Sequence, residues 1–275
     1  MEMTASAPWL DISHPNYERW KRGRDLSIFR GRFIESLINQ NKQITNKKIL
    51  DLGSGEGGTA VVLSEKNSVL SLDINFIRLQ RQMQNFGEVS FSQINADARH
   101  LPLPDLFFDL IIVQDVIEHL IDIDLFIEEL RRVLKPGGVI YLSTPNRNSI
   151  FNLISDPHWG LPFLSLFKRE TIKNYYLKRF RKSEVNRKDI AELFSLNDLI
   201  KRFHESFDIK LNTVFSVREL INGNKGIVWS SFHLLIVRIL KIFRLNKLLL
   251  LAANDKAGWI NNYFTPTFYI TLTKL

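Results

Sequence analysis

Ile49-Leu50-Asp51-Leu52-Gly53-Ser54-Gly55-Glu56-Gly57-Gly58 is a short apolar run that empties into a cluster of glycines. With Lys48 ahead of it, the run predicts a strand, and Thr59 to Glu65 predicts the helix that follows. A glycine loop at such a junction lets the main chain come close to a ligand, and the helix beyond offers unpaired N–H groups. Alone, the loop is ambiguous between classes of adenosine-bearing cofactor.

The surrounding pattern repeats the unit. Ser68 to Asp73 reads as a second strand ending in an acid, and Asn75 to Phe86 as a helix. Val89 to Ile94 is a third strand, ending near Asp97. Phe108 to Val113 is a fourth, apolar on both faces as a fully buried strand should be. Leu125 to Leu134 has helical spacing and stops at the turn Lys135-Pro136-Gly137-Gly138; Val139 to Ser143 is a fifth strand. Further on, Ser195 to Phe203 reads as a helix capped by Asn197. Phe207 to Phe215 and Phe268 to Lys274 read as the last two strands. This alternation predicts an α/β, Rossmann-like, seven-stranded, mostly parallel sheet with helices on both faces, plus helical substrate-cap insertions. In such sheets ligands bind beyond the carboxyl ends of the strands, which selects Gly53 to Gly58, Asp73, Asp97, Gln114-Asp115 and Ser143 to Arg147. The expected organisation is an N-terminal helical cap (1–45), a cofactor-binding core (46–147), a cap insertion (148–190) and the end of the sheet (191–275). An amphipathic insertion at 216–267 interrupts the last part.

The chain has 275 residues, enough for one large core. It contains no cysteine, which excludes disulfides, zinc-thiolate sites and thiol nucleophiles. Met1 to Leu10 shows no secretory pattern. The greasiest region, Ile227 to Ala253, is broken by Arg238, Lys241, Arg244 and Lys247, so it does not qualify as a span of about 20 apolar residues. A cytoplasmic location is expected.

The pattern as a whole resembles the class I S-adenosylmethionine-dependent methyltransferases, in the small-molecule branch that includes the ubiquinone-pathway O-methyltransferases. The residues that carry the resemblance are Ile49–Gly58, Asp73, Ala96-Asp97-Ala98 with Leu101-Pro102-Leu103-Pro104, Phe108–Leu120 and Leu130–Arg147. It implies S-adenosylmethionine as cofactor and S-adenosylhomocysteine as product. It also implies roles. Gly53, Ser54 and Gly55 lie against the methionine part and ribose, and Asp51 orients the loop or meets the amino group through water. Asp73 holds the ribose, Ile74 packs on the adenine, Asp97 and the Ala98 N–H meet the ring edge, and the Gln114 carbonyl faces the ammonium. In the ubiquinone branch an acid-x-x-Glu-His run is associated with a divalent cation. The matching residues are Asp115, Glu118 and His119, but Asp115 stands where that branch typically has Glu, and no metal is assigned.

A hydroxyl acceptor must lose a proton, and histidine titrates in the right range. His119, just past the fourth strand, is the first candidate base; His158, in the loop Asp156-Pro157-His158-Trp159-Gly160, is the second. His14 and Tyr17 are placed to close over the cofactor, and Arg30 or Arg32 to meet its carboxylate. The acceptor is left to two segments. Lys168 to Lys188 carries nine bases against two acids, interleaved with aromatics. Such a patch draws anions, or is simply a solvated helix face. Ser230 to Arg244 reads as a basic amphipathic helix, which suits a membrane surface, a packed helix or a homodimer contact. The resemblance implies O-methylation of a small acceptor, which these segments suggest is anionic, lipophilic or glycan-linked; peripheral membrane contact through 230–244 is one option for the amphipathic helix. RNA methylation through the 168–188 patch, or N- or C-methylation of a natural product, are the alternatives.

Overall fold

The computed structural model describes residues 7–275 except 15, 41–42, 88–90, 188, 228–237 and 240. Seven strands form one sheet: β1 Lys48–Leu52, β2 Ser68–Asp73, β3 Ser92–Asn95, β4 Phe108–Gln114, β5 Leu134–Pro145, β6 Phe207–Leu211 and β7 Thr267–Lys274. Their spatial order is β3-β2-β1-β4-β5-β7-β6. Only β7 runs against its neighbours, pairing antiparallel with β5 and β6. The order turns back between β1 and β4, and the carboxyl ends there open the crevice where such folds hold ligands.

Period-two alternation explains why the sheet has two cores. Leu50, Leu52, Ile111, Val113, Ile140 and Leu142 face one side. They pack against helix α5 (Ile123–Val133) and the later helix α8 (Leu196–Phe203). Ile49, Leu110, Ile112 and Tyr141 face the other, against α2 (Ser27–Ile38) and α3 (Gly58–Ser64). Helix α1 (Tyr17–Asp25) leads into α2, and α4 (Phe76–Phe86) joins β2 to β3. The leading segment, expected to be helical, forms two helices.

The cap after β5 consists of α6 (Ile150–Ile154), a 3-10 turn Leu164–Leu166, and a helical stretch 169–180, α7, whose middle, Ile172–Leu177, is a π-helix. Trp159, Leu164, Ile172, Leu177 and Ile190 give it a small core of its own. The remaining helices are α9 Thr213–Asn222, α10 Asn246–Ala252 and α11 Trp259–Tyr263.

Three local readings change. The Lys135–Gly138 turn lies inside β5 as a bulge. Phe108 pairs with Leu134, then Leu110 with Val139, and Gly137 takes a φ of 68° to absorb the extra residues. The strand expected through Phe215 stops at Leu211, because the Asn212 side chain turns back onto the carbonyls of Lys210 and Tyr269 and α9 begins at Thr213. Ser195, not Asn197, caps α8, in a reciprocal capping box with Asp198. Most of the amphipathic helix expected at Ser230–Arg244 lies outside the described residues. Among the described residues no helix is long and apolar enough to cross a membrane.

Candidate active site

The glycine loop has the strained backbone its sequence implies. Gly53 sits at φ 71°, and a Cβ there would lie 2.4 Å from Val116 Cγ2. Its N–H and that of Ser54 donate to the Leu72 carbonyl at the end of β2. Ser54 Oγ is held by Ser71 (2.7 Å) and by Gln82 Nε2 (2.9 Å), which also donates to the Gly55 carbonyl at 2.8 Å. The loop is thus preshaped from α4, and Gln82 was the residue sequence reasoning passed over. Its only signal was a polar side chain three positions from Leu79 on a buried face.

Two acids lie under the loop. Asp73 accepts from the Gly55 N–H at 2.9 Å and the Asn75 N–H at 2.8 Å. Burial raises its carboxyl, and Arg78 opposes the shift. Asp51 is fully buried, with Oδ2 unpartnered, and burial together with neighbouring Asp73 pushes its pKa up to about 7. Arg78 also stacks 4.4 Å from the Trp9 ring, so the leading segment reaches the loop; no motif announced either residue. Ile74 follows Asp73, half-buried, and Ala98 is buried. Asp97 is more committed than expected. Arg99 takes both its oxygens, at 3.0 and 2.6 Å, and holds its carboxyl below the ordinary range. Its place at the crevice edge is kept, but an adenine amino group would have to share it with that arginine.

At the end of β4, Gln114 pairs with Ser143 in the ladder. With its amide oxygen toward Arg30, Gln114 accepts from Nε and Nη2 at 2.9 Å and donates to Thr59 at 3.1 Å. Asp115 is a non-glycine at φ 53°. It accepts from Ser143 Oγ at 2.9 Å and pairs with Arg30. Arg30 is therefore at the strand ends. Arg32 is not: it pairs with Glu35 and Glu65 on the outside of α2. Nor does His14 lie over the loop. It reaches the cap, 2.7 Å from Glu184. Tyr17 lies under Arg24 of its own helix.

One turn further, Glu118, His119 and His158 meet. The two imidazoles stack edge to face with ring centroids 5.1 Å apart. His119 Nδ1 lies 2.8 Å from the Asp189 carbonyl; donation there leaves Nε2 with a free lone pair. His158 is positioned by its loop, since Asp156 Oδ1 accepts from the His158 and Trp159 N–H groups, both at 2.8 Å. Burial lowers both histidines below their ordinary value, His158 further because His119 adjoins it. Glu118 accepts from Thr144 at 2.9 Å, and its other oxygen is 3.9 Å from His158 Nε2. Burial, with Asp115 nearby, pushes Glu118 up to about 8. The ligand atoms of Glu118, His119 and His158 lie within 4.8 Å of one another. The cation grouping implied by the resemblance is thereby altered, because Asp115 is held by Arg30 and Ser143 while His158 joins the other two.

The basic patch is partly structural. Arg169 donates to the carbonyls of Ile190, Glu118 and Leu120, and so fastens the cap to the β4 end. Arg187 is shared between Glu184 and Asp189. Lys188 lies outside the described residues.

The family model described as a methyltransferase domain matches residues 50–142, the stretch from the glycine loop to the end of β5. A Mycolicibacterium smegmatis protein named "Probable S-adenosylmethionine-dependent methyltransferase" is 30% identical over 164 residues, 58% of this chain and 56% of that one. The ubiquinone biosynthesis O-methyltransferase of Pseudomonas fluorescens is 27% identical over 221 residues, 73% of this chain and 90% of that one. Residues 50–142 thus match a methyltransferase domain, and the chain is similar to S-adenosylmethionine-dependent methyltransferases, spanning about half the length of the first of these relatives. A solved S-adenosylmethionine-dependent methyltransferase from Mesorhizobium loti covers 87% of this chain and 96% of its own with a TM-score of 0.54, at 14% identity. That likeness shows the shared fold. The name of the Mycolicibacterium smegmatis relative makes S-adenosylmethionine its cofactor, and the residues around this cleft fit that group: glycines that admit a backbone-close ligand, and a buried, unpartnered Asp51 oxygen.

Proposed function

We propose that the chain transfers the cofactor's methyl group to a hydroxyl of a small, lipophilic or glycan-linked acceptor. The pairing of His119 and His158 beside the β4 end carries this reading. An alcohol attacks well only as its proton leaves, and His119 Nε2 is an unprotonated acceptor because burial keeps the ring neutral. When bound, the cofactor would supply a methyl group already activated by its sulfonium, and His119 Nε2 would accept the proton that the acceptor hydroxyl loses. His158 orients the acceptor across the edge-to-face contact. Holding oxygen, carbon and sulfur in line contributes more, about 7–11 kcal/mol of barrier, than the base, which adds roughly 10²–10⁴ in rate. The 27% identity to a ubiquinone biosynthesis O-methyltransferase supports oxygen as the acceptor atom.

Labelled cofactor incubated with lipid, glycan, small-molecule and RNA fractions identifies the acceptor class. With that acceptor, His119→Ala should lower turnover by about 10²–10⁴ while cofactor affinity stays the same. Unaltered turnover from about pH 6 to pH 9 removes the base role.

The Glu118–His119–His158 grouping favours one second reading, a divalent cation bound by those three in place of the base role. Two imidazoles and a carboxylate are an accepted donor set for transition metals. Dialysis against a chelator separates the two readings: activity lost and restored by added metal selects the cation, and activity retained selects the base.

A further inference from the structure

We propose that the acceptor side of the molecule is a docking surface for an anionic lipid bilayer. The surface is built from elements the transfer chemistry does not use. Helix α6 turns Ile150, Phe151 and Ile154 outward, and the next turn exposes Phe163 and Leu166. The Phe163 N–H donates to the Leu153 carbonyl at 2.7 Å, which makes the two elements one face. Phe163 is the telling residue. It is bulky, it holds φ 61°, and its side chain is 60% exposed. Left-handed backbone in such a residue costs stability.

The face continues in two directions. Phe167, Tyr176 and Phe180 stack in series at 5.0 and 6.4 Å, the first two half-buried against the cap's core, while Phe180 and Tyr175 on α7 are exposed, Tyr175 to 73%. On the other side, Asn146 donates to the carbonyls of Asn261, Asn262 and Thr265, and Asn152 to that of Pro266. These bonds bring exposed Trp259, Tyr263 and Phe264 to the flank of α6. Helix α10, which contacts α9, buries no residue and leaves Leu251 81% exposed. An apolar area of this extent is more than scattered surface residues explain.

Charge selects the occupant. Lys168, Lys173, Lys178, Arg179 and Lys182 enter no ion pair among the described residues, whereas Arg187 is ion-paired and Arg169 is held by main-chain carbonyls. The other flank adds Arg238, Lys241, Arg244 and Lys247. A second copy of the chain, itself +8, would bring like charge against like. RNA would use the bases and aromatics but has no use for Ile150, Ile154 or Leu166. An anionic bilayer uses both, apolar side chains in the acyl boundary and bases at the phosphates.

The test is co-sedimentation of the full chain with vesicles of phosphatidylcholine alone and of phosphatidylcholine with phosphatidylglycerol. Binding is expected to the anionic vesicles, weakening with salt and falling about fivefold for each base neutralised in Lys178→Gln and Arg179→Gln. Phe163→Gly relieves the left-handed backbone, so it should fold at least as well while binding less; Phe151→Ser should also bind less. Failure to bind anionic vesicles, equal binding by all variants, or self-association or RNA retention in place of vesicle binding overturns the proposal. The assay needs neither cofactor nor acceptor, so its failure leaves the reading of His119 standing.

Discussion

Asp51 shows how one residue can be placed by sequence and yet be chemically new in the structure. Its position near the end of an apolar strand that empties into glycines marked it for the cofactor loop. Its neutrality was not legible, because burial and the approach of Asp73 come from the sheet pairing β1 with β2. Its pKa of about 7 stands above the unfolded value of 3.8, so the folded apo protein holds a proton that the unfolded chain has lost between these pH values. Stability of the apo form therefore falls at this residue as pH rises from about 4 to 7. The cofactor carries a sulfonium and an ammonium, which favour the ionised carboxylate. Cofactor binding should then release protons near pH 6.5 and tighten as pH rises toward 8. Calorimetry in buffers of different ionisation enthalpy measures this, and Asp51→Asn should abolish the proton release. Release that persists in Asp51→Asn assigns it to another group. Asp97 is the converse case: its place could be read, but its Arg99 partner two residues on was not weighed as a competitor.

At the scale of elements, the strands were legible because both-face burial and period-two alternation write themselves into composition. Ends were less so. Val214 and Phe215 extend the apolar pattern of β6, yet the strand stops where its pairing with β7 stops, at Leu211 opposite Ile270. A strand's end is set by its partner, and one segment's periodicity carries no record of that. The α2–α3 crossing was equally hidden. Gly58 begins α3 with its α-carbon against α2, and a Cβ there would lie 2.4 Å from Ser27 Cβ and 2.5 Å from Ser27 main chain. Gly31 repeats the close approach, with a Cβ position 2.9 Å from the Gly58 carbonyl. Main chain cannot yield as a flexible side chain can. Gly58→Ala should cost about 1–3 kcal/mol in urea unfolding. It should weaken cofactor binding too, because the start of α3 is the end of the glycine loop. Wild-type affinity in that variant would show that the loop is set by Gln82 and β2 alone.

Across the whole molecule, the leading segment joins the two halves of the cleft. Trp9 reaches Arg78 beside the cofactor loop, while Arg19 donates to the carbonyls of Asp156 and Pro157 in the His158 loop. Between these contacts, Glu184 is fully buried and shared by His14 at 2.7 Å, Arg187 at 2.8 Å and Asn16 at 3.4 Å. Arg187 lies 5.4 Å from the Trp20 ring, and Trp20 stacks on His14. The sequence placed a helical cap at 1–45 and another at 148–190, but nothing in either segment told that one buried carboxylate binds them together. Removing one partner of such a cluster leaves buried charge uncompensated, at a cost of about 3–5 kcal/mol. The sheet does not depend on the cluster, so the loss should stay local. Glu184→Ala should raise amide hydrogen exchange in 9–25 and in 156–190 together, leave β1, β4 and β5 protected, and weaken cofactor binding through Trp9 and Arg78. Exchange that rises in the cap alone would mean that the leading segment is held by the cofactor loop and not by Glu184.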